Sequence, residues 1–347
     1  MEEIALAPKL AWLTVNHRCN LNCKWCYQKG VDNRKKVMSK ELARKSIDLL
    51  TDLGLKYVIL IGGEPTLWHY YFNLMTYIKD KGMKTAVVTN GLTSASHKFA
   101  EKQIRNGLTN ATLSIKGFSK QEYEESTGYG GSFDVACCGM ENLHKKLDKL
   151  IVSITITNPI LEKMDNMLNF IERYKQMFFA ISFEKPTILP NGKIVFDERM
   201  MPERLAPFIQ KTLYPTLKKM GANFKMEVLM PHCHFENGFI DMMEKDKSTF
   251  CGCVLQRVNA IILDPDGYVL PCNHFVKHPL GQFGVDFTTK EEYFKWRPTV
   301  DAFYGITKNS PCEECANCSK WDRCGAGCRL FWLYKGSKEL IKPIKPL

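Results

Sequence analysis

The stretch Cys19-Asn-Leu-Asn-Cys23-Lys-Trp-Cys26 decides how the rest of the chain is interpreted. It follows an apolar run that we predict to be the first strand, so the cysteines lie in the loop after that strand. Three thiolates at spacings of four and three residues can converge on one metal centre. They fall one short of the four that most iron–sulfur clusters use. The loop therefore indicates a cluster with one open iron that binds a reactant; structural or zinc-bound cysteines are the alternative.

Length and composition are those of a large globular chain with metal-binding cysteines. The 347 residues suffice for a barrel with an appended module, and the apolar (45%) and charged (24%) fractions are ordinary. No uncharged apolar run of about 18 residues occurs, and the N-terminus lacks a signal-peptide pattern. We therefore expect a cytoplasmic protein without a membrane span. The 14 cysteines then indicate metal or redox chemistry rather than disulfides.

The formal net charge of +11 suggests a nucleic-acid partner only at first sight. The lysines are scattered along the sequence, and no arginine-rich stripe or RNA-binding motif occurs. Thiolate-bound clusters would also reduce the positive charge. We therefore expect a peptide or a small molecule as substrate rather than nucleic acid.

Six short apolar segments alternate with segments of helical periodicity, which predicts repeated strand–helix units. The predicted strands are residues 9–15, 56–61, 84–89, 111–115, 151–156 and 179–183. Strands that are apolar on both faces and are each followed by a helix favour a parallel sheet with right-handed crossovers. We predict an α/β fold with a partial (β/α)6 TIM-like barrel over residues 1–230. A cysteine-rich α+β module follows over residues 231–347.

Smaller expectations accompany this fold. Ser39 is the predicted N-cap of the first helix. A helix is expected over 134–150, and a strand over 224–229 is expected to lead out of the barrel. Reactive groups of such barrels lie at the carboxyl ends of the strands. The sequence places the cysteine loop, Gly62-Gly63-Glu64-Pro65, Asn90-Gly91 and Ser114 at such ends.

The cysteine loop, with Trp25 before its last cysteine, resembles the signature of the radical S-adenosylmethionine (SAM) superfamily. The resemblance implies that Cys19, Cys23 and Cys26 hold a 4Fe–4S cluster whose fourth iron is chelated by SAM. It implies cleavage of SAM to a 5′-deoxyadenosyl radical that abstracts a hydrogen atom from the substrate. It also implies an electron donor such as flavodoxin or ferredoxin.

Three further segments resemble the SAM-binding parts of that superfamily. Gly62-Gly63-Glu64 resembles its Gly-Gly-Glu segment, in which the glycines let the backbone approach the ligand. The resemblance gives Glu64 the role of acceptor for the SAM ammonium group. It places Asn90 and Ser114 near the adenosine and methionine parts, and it makes Trp25 a further cofactor contact. Lys116 stands where many peptide-modifying members carry Asp.

The C-terminal cysteines resemble the SPASM module of the same superfamily. Gly267-x4-Cys272 is followed by Cys312-x2-Cys315-x2-Cys318-x5-Cys324-x3-Cys328. The resemblance implies two auxiliary 4Fe–4S clusters. We expect the first to be bound by Cys312, Cys315, Cys318 and Cys324, and the second by Cys251, Cys253, Cys272 and Cys328. The family pattern usually contains one cysteine more, and a zinc ribbon is the alternative because Cys-x2-Cys pairs also suit zinc.

Two residues are candidates for the chemistry beyond SAM cleavage. Sulfatase-maturating enzymes carry an acidic base after the cysteine of Gly-x4-Cys, whereas this chain has Asn273 and His274. Sulfatase maturation is therefore disfavoured, and His274 becomes the candidate base. Cys233 is a candidate hydrogen-atom donor, with a structural thiol or metal ligand as the alternative. Glu184, which ends the sixth predicted strand, is a candidate substrate contact.

Two classes of function remain open. We favour modification of a peptide by crosslinking, thioether formation, epimerisation or oxidation, because SPASM modules are common in that branch. Radical epimerisation or dehydrogenation of a small metabolite, such as a sugar or aminocyclitol, is the alternative. An iron–sulfur scaffold or electron carrier is disfavoured because it would not need a SAM site.

Overall fold

The computed structural model describes residues 8–236, 238–250, 253, 260–307, 310 and 312–335. Within these ranges the chain forms one large sheet and one short hairpin, with helices between the first six strands of the sheet. None of the helices in this part of the chain has both the length and the apolar character needed to cross a membrane.

The strands are numbered in chain order. They are β1 (Leu10–Asn16), β2 (Tyr57–Gly62), β3 (Lys84–Thr89), β4 (Leu108–Ile115), β5 (Lys149–Ile156), β6 (Phe178–Phe183), β7 (Thr187–Ile188), β8 (Ile194–Val195), β9 (Asn223–Glu227), β10 (Thr249–Phe250), β11 (Ala260–Leu263), β12 (Tyr268–Val269) and β13 (Gly281–Gln282).

The large sheet has the order β10-β9-β6-β5-β4-β3-β2-β1-β11-β12-β13. Its neighbours from β10 to β11 pair in parallel, and only β12 and β13 are antiparallel to their neighbours. Strands β7 and β8 form the separate hairpin. Because β1 to β6 lie side by side in chain order, the loops after them all open at one edge of the sheet.

The helices are likewise numbered in chain order. They are α1 (Lys40–Asp52), α2 (Tyr71–Asp80), α3 (His97–Arg105), α4 (Lys120–Thr127), α5 (Ser132–His144), α6 (Asn158–Glu162), α7 (Met164–Arg173), α8 (Pro202–Phe208), α9 (Tyr214–Lys219), α10 (Phe239–Lys245), α11 (Lys290–Thr307), α12 (Glu313–Ala316), α13 (Trp321–Cys324) and α14 (Arg329–Lys335).

Alternation along the strands separates the core from the interior of the barrel. In β5, Val152, Ile154 and Ile156 are fully buried and belong to the main apolar core, together with residues of the helices. The half-buried positions between them are partly polar, and Thr155 lines an interior cavity together with Ser182 of β6. Side chains of a strand point alternately to its two faces. The same strands therefore supply both the core and the polar wall of the cavity.

The predicted α/β fold with a partial barrel is confirmed. Strand β3 has the predicted bounds, and the other five predicted strands shift by no more than a few residues. Ser39 is the N-cap of α1, since its hydroxyl accepts a hydrogen bond from the Leu42 amide at 3.1 Å.

Two expectations about elements were wrong. The helix expected over 134–150 ends at His144, and β5 already begins at Lys149, so the last apolar residues of that pattern belong to the turn and the strand. The strand expected to lead out of the barrel is β9, which pairs in parallel with β6. Pairing extends the sheet there because an exposed edge of β6 would leave backbone groups without partners.

Residues beyond position 230 also join the large sheet. Strand β11 pairs in parallel with β1, with Leu10 opposite Ala260, and β12 and β13 continue the sheet from there. A smaller apolar cluster combines residues of this region with Ile188 of β7. Its buried members are Ile188, Cys253, Phe275, Leu280, Cys328, Leu330 and Phe331. The division of the chain near residue 230 stays a prediction.

Candidate active site at the carboxyl ends of the strands

A cavity of about 250 Å³ lies at the edge of the sheet where β1 to β6 end. The three cysteines of the loop after β1 line it. Its lining also includes Trp25, Gly62, Gly63, Asn90, Ser114, Lys116, Thr155, Ser182, Glu184, Lys185 and His274. As expected for a parallel sheet, segments that are far apart in sequence meet at the carboxyl ends of its strands.

The cysteine loop is held in place by its backbone. The amides of Asn22 and Lys24 donate to the carbonyl oxygens of Thr127 and Ser126, at 2.8 and 3.1 Å. Cys23 is buried, while Cys19 and Cys26 are half-buried. The loop therefore presents three thiols to the cavity in a fixed arrangement.

Burial disfavours the thiolate form of Cys19 and Cys23 unless a cation is bound beside them. It raises the pKa of Cys19 to about 11 and also raises the pKa of Cys23. A thiolate, and not a thiol, is the metal ligand, so a positively charged centre is needed to deprotonate them at this depth. Three thiols that line one cavity fit an iron–sulfur cluster with one open iron.

Glu64 lies behind the wall of the cavity and not in it. Its side chain is 0% exposed. One carboxylate oxygen accepts from the Thr66 amide (3.2 Å) and from the hydroxyls of Thr66 (2.6 Å) and Thr89 (2.8 Å). The other accepts from the Asn90 amide at 2.7 Å. Burial raises the pKa of Glu64, and these four donors oppose that rise.

The role expected for Glu64 toward SAM stays a prediction. What the structure shows is a buried carboxylate that accepts four hydrogen bonds from the protein. These bonds fix the turn after β3. Through that turn Glu64 holds Asn90, whose side-chain amide donates to Asn20 Oδ1 at 2.7 Å, next to Cys19.

The two glycines are required by the protein itself. A Cβ at Gly63 would lie 2.3 Å from the carbonyl oxygen of Arg18, and one at Gly62 would lie 2.4 Å from that of Asn16. The Gly63 amide donates to Asn16 O at 2.9 Å, and the Glu64 amide donates to Arg18 O at 2.7 Å. The glycines thus let β2 pack against the start of the cysteine loop, in addition to leaving backbone open to the cavity.

The remaining predicted cofactor residues, Trp25, Asn90 and Ser114, all line the cavity. Of the six residues predicted to bind SAM, only Glu64 is absent from the wall.

The wall also contains charged residues that the sequence did not single out as a group. Lys185 forms an ion pair of 2.6 Å with Glu227, and its side chain is only 16% exposed. Burial would lower the pKa of Lys185, but Glu227 and the nearby Cys328 outweigh it and raise the pKa. Lys116 also lines the cavity, and it has no ion-pair or hydrogen-bond partner within the described residues.

Glu184 and His274 differ in how readily they accept a proton. Burial, reinforced by Asp197, raises the pKa of Glu184 to about 7. Burial and the Lys185 ammonium group lower the pKa of His274 to about 3, and the ring packs against Tyr27 with centroids 5.2 Å apart. Since a base works best when its pKa is near the working pH, Glu184 is the better suited of the two.

The C-terminal cysteines fall into two groups. The inner group is Cys253, Cys272 and Cys328, which influence one another electrostatically and lie near Lys185. The outer group contains Cys312, Cys315, Cys318 and Cys324. Cys251, the predicted fourth ligand of the inner group, lies outside the described residues. Across the ranges that are described, no three His, Cys, Asp or Glu side chains are arranged to share one metal ion.

Three cysteines remain. Cys233 does not belong to the wall of the cavity but lies beside the outer group, with Cys324, Cys318 and Cys312 as electrostatic neighbours. Cys137 and Cys138 lie on α5, half-buried and exposed.

Comparison with known proteins assigns the barrel to a family. Residues 13–173 match the family model described as the Radical SAM superfamily. This part of the chain is a radical SAM domain. The superfamily resemblance is thereby confirmed, while the SPASM assignment and the roles of single residues stay predictions.

Relatives at low identity cover much of the chain. Fe-coproporphyrin III synthase of Methanosarcina barkeri is 26% identical over 68% of this chain, and the match spans only 58% of that protein. The probable GTP 3′,8-cyclase of Sulfurisphaera tokodaii is 25% identical over 75% of this chain and 79% of its own. An AdoMet-dependent heme synthase of Nitratidesulfovibrio vulgaris is 25% identical, over 89% and 86%.

Solved structures share the fold over almost the whole chain. Native anSMEcpe with bound AdoMet superposes with a TM-score of 0.70 at 20% identity, covering 96% of both chains. Streptococcus suis SuiB bound to the precursor peptide SuiA gives 0.67 at 18% identity, covering 98% of this chain and 75% of that one. The likeness includes the region beyond residue 230.

Replacing Glu64 with Gln should destabilise the radical SAM domain by roughly 2–4 kcal/mol, because the new amide would direct N–H groups at the donors that the carboxylate now receives. Urea unfolding of the apo chain, followed by circular dichroism, measures this. Glu41→Gln, at an exposed position of α1, is the control and should change stability by less than about 0.5 kcal/mol. Equal stability of the two variants would contradict the structural role of Glu64.

Replacing Glu184 with Gln should stabilise the chain above pH 7 and have little effect at pH 4. The pKa of Glu184 rises from 4.5 to about 7 on folding, so the folded state keeps this proton to higher pH than the unfolded state. The resulting penalty is absent below about pH 4.5, grows until about pH 7 and then stays constant. We expect a gain of about 2 kcal/mol at pH 8, after allowance for partial exposure.

Unfolding free energies of wild type and Glu184→Gln between pH 4 and pH 8 test this expectation. Glu125→Gln, at an exposed position of α4, is the matched control. A stability difference that does not change with pH would mean that Glu184 is not an isolated buried acid.

Proposed function

We propose that this chain is a radical SAM enzyme in which Cys19, Cys23 and Cys26 hold a 4Fe–4S cluster and SAM binds in the adjoining cavity. The observation that carries this proposal is the convergence of the three thiols with Gly62 and Gly63 on one cavity. When bound, the cluster and SAM supply one-electron chemistry that yields a 5′-deoxyadenosyl radical, which abstracts a hydrogen atom from the substrate.

The residues of the chain would position these reactants. Backbone groups of Gly62 and Gly63 are proposed to accept from the ammonium group of SAM. Trp25 and Asn90 are proposed to contact its adenosine part, and Ser114 its methionine part. Reduced flavodoxin or ferredoxin is the proposed electron donor.

The two C-terminal cysteine groups are proposed to hold two auxiliary 4Fe–4S clusters of a SPASM-like module. The inner group has three described members and would take Cys251 as its fourth. This proposal is supported by the separation of the cysteines into two groups, since a single cluster cannot use all of them.

We propose a peptide side chain as the substrate. Support comes from anSMEcpe, whose structure is also known with bound Cp18Cys peptide, and from SuiB with its precursor peptide SuiA. Both share the fold of this chain through its C-terminal region. In the cavity, Glu184 offers an acceptor for a proton or a hydrogen bond from such a substrate.

A small anionic metabolite is the second candidate substrate. Lys116 favours it, because this lysine lines the cavity and has no anionic partner within the described residues. The named relatives point the same way, since GTP carries phosphates and coproporphyrin III carries carboxylates. A lysine is a strongly hydrated point charge that pairs readily with either group.

Anaerobic reconstitution should load about twelve irons per chain, four for each of three clusters. With dithionite and SAM the chain should release 5′-deoxyadenosine, detected by liquid chromatography. Replacing Cys19, Cys23 and Cys26 together by Ala should remove about four irons and abolish this release. Cys138→Ala, at an exposed position of α5, is the control and should leave both unchanged. A fully loaded wild-type chain that does not cleave SAM would exclude the proposed function.

Candidate substrates should accelerate release of 5′-deoxyadenosine above its rate without substrate. The probes are peptides encoded beside this chain, GTP and Fe-coproporphyrin III. The peptide proposal expects acceleration by a peptide alone. Acceleration by GTP or Fe-coproporphyrin III that is lost in Lys116→Met and kept in Lys116→Arg would instead support the anionic metabolite.

A further inference from the structure

The segment that carries the three barrel cysteines also carries a concentration of positive charge. Residues 17–36 contain six Lys or Arg residues and a single acidic residue, Asp32. Asp32 forms an ion pair with Lys277, and Lys36 forms one with Asp266 at 2.6 Å. The other five cations have no carboxylate partner within the described residues. They are Arg18, Lys24, Lys29, Arg34 and Lys35, and we call them the basic rim.

The segment folds back on itself, which gathers these charges on one surface. The His17 amide donates to the carbonyl oxygen of Lys36 at 2.8 Å, so the end of the segment runs beside its start. Arg18 and Lys35 are the neighbours of these two residues in the chain, and both are exposed. The rim is therefore a continuous surface, although its first and last members are 17 positions apart in the sequence.

Two members of the rim are held by neutral oxygen atoms. Lys29 Nζ donates to the carbonyl oxygen of Lys24 at 2.6 Å, and the Arg34 guanidinium donates to Asn22 Oδ1 at 3.1 Å. A carbonyl or amide oxygen accepts such a bond without carrying a negative charge. The two side chains are thus fixed over the cysteine loop while their positive charges remain uncompensated.

The rim lies close to the thiols of the loop. Asn22 and Lys24 are exposed, whereas Cys23 between them is buried. Cys19 and Cys26 are half-buried. A partner that contacts Asn22 and Lys24 from the solvent is therefore one residue along the chain from a cysteine of the site. Transfer of an electron across this loop needs only a short path.

Acidic residues beside the loop do not cancel the charge of the rim. Helix α4, whose last carbonyl groups hold the loop, contributes Glu124 and Glu125. Glu124 accepts from the Gly131 amide at 2.6 Å, and Glu125 accepts from the Gln121 side-chain amide at 2.8 Å. Neither carboxylate forms an ion pair with the rim in the part of the chain that the structure describes. Since five cations outnumber these two acids, the surface attracts an acidic partner, and most strongly at low ionic strength.

We propose that the basic rim is the docking surface of the one-electron donor, and that this donor is an acidic redox protein. One electron leaves the docked donor and reduces the cluster held by Cys19, Cys23 and Cys26, and no bond forms or breaks in this step. The inference rests on the proposed function, since it assumes that cluster. Charge complementarity governs encounter and orientation more than affinity, which suits a donor that must leave after each transfer.

Crosslinking of the reconstituted chain to an acidic recombinant flavodoxin provides the first test. A carbodiimide joins a lysine to a carboxylate that it contacts directly, and peptide mass spectrometry identifies the pair. We expect crosslinks from Lys24 and Lys35, and we expect them to disappear at about 1 M salt, where the Debye length is about 3 Å. Crosslinks confined to lysines at the other edge of the sheet, such as Lys84 and Lys149, would overturn the proposal.

Matched charge reversals provide the second test. Lys24→Glu combined with Lys35→Glu should weaken the binding of flavodoxin at low salt by a factor of about ten or more, measured by isothermal titration calorimetry. The control is Lys84→Glu combined with Lys149→Glu, which makes the same change in net charge. These two exposed lysines begin β3 and β5, at the edge of the sheet opposite the cysteine loop. Circular dichroism shows that both variants are folded.

The binding results have distinct meanings. Binding that is weakened equally in both variants would mean that only the total charge matters, which overturns the proposal. A wild-type chain that binds no flavodoxin at low salt would also overturn it. If the rim variant keeps flavodoxin binding but no longer binds an acidic peptide, the rim serves a substrate and the donor docks elsewhere.

Cleavage of SAM with two reductants separates this inference from the proposed function. With limiting flavodoxin hydroquinone, the rim variant should release 5′-deoxyadenosine about tenfold more slowly than the control variant. With dithionite, a small reductant that needs no docking surface, the two variants should not differ. A wild-type chain that fails with dithionite contradicts the proposed function itself. Equal rates of the two variants with flavodoxin, or a loss in the rim variant with dithionite as well, overturn only the docking surface.

Discussion

The geometry of the cavity depends on one buried carboxylate. Glu64 follows β2, yet its four hydrogen bonds include the Thr89 hydroxyl at the end of β3 and the Asn90 amide beyond it. A buried charge is stable only when its oxygens are fully hydrogen-bonded. The turn after β3 therefore cannot move without breaking that network, and the position of Asn90 beside the cysteine loop is set before any ligand arrives.

The hydroxyls in this network have their directions fixed as well. The Thr89 hydroxyl accepts from the Gly91 amide at 3.0 Å and the Thr66 hydroxyl accepts from Thr93 at 2.9 Å, so each directs its own proton at Glu64. A fully connected network of this kind is more rigid than its separate bonds. Glu64 of the Gly-Gly-Glu segment thus positions residues of the site without itself lining the cavity.

The sequence predicts the parts of this structure that depend on local pattern. The alternation of short apolar segments with segments of helical periodicity predicted β1 to β6. Reactive groups of such folds lie at the carboxyl ends of the strands, which predicted that Cys19, Gly62, Asn90 and Ser114 meet at one edge. The direction of the Glu64 side chain was not predictable, because a short motif does not say which of two faces a residue after a strand will occupy. The Lys185–Glu227 ion pair was not predictable either, because it joins residues that are 42 positions apart in the sequence. Strands of two to four residues such as β11 and β12 carry too little periodicity to be recognised.

The C-terminal region contacts both ends of the central run of strands. On one side β11 pairs with β1, and on the other the Cys328 amide bonds to Leu229 just beyond β9. The region therefore spans the opening of the partial barrel and meets the cavity through His274. Lys185 lies between the two, since it lines the cavity, pairs with Glu227 and is near the inner cysteine group. Because an ammonium group in a half-buried site acts over several ångströms with little screening, this one positive charge acts on the cavity and on the inner cysteines at once.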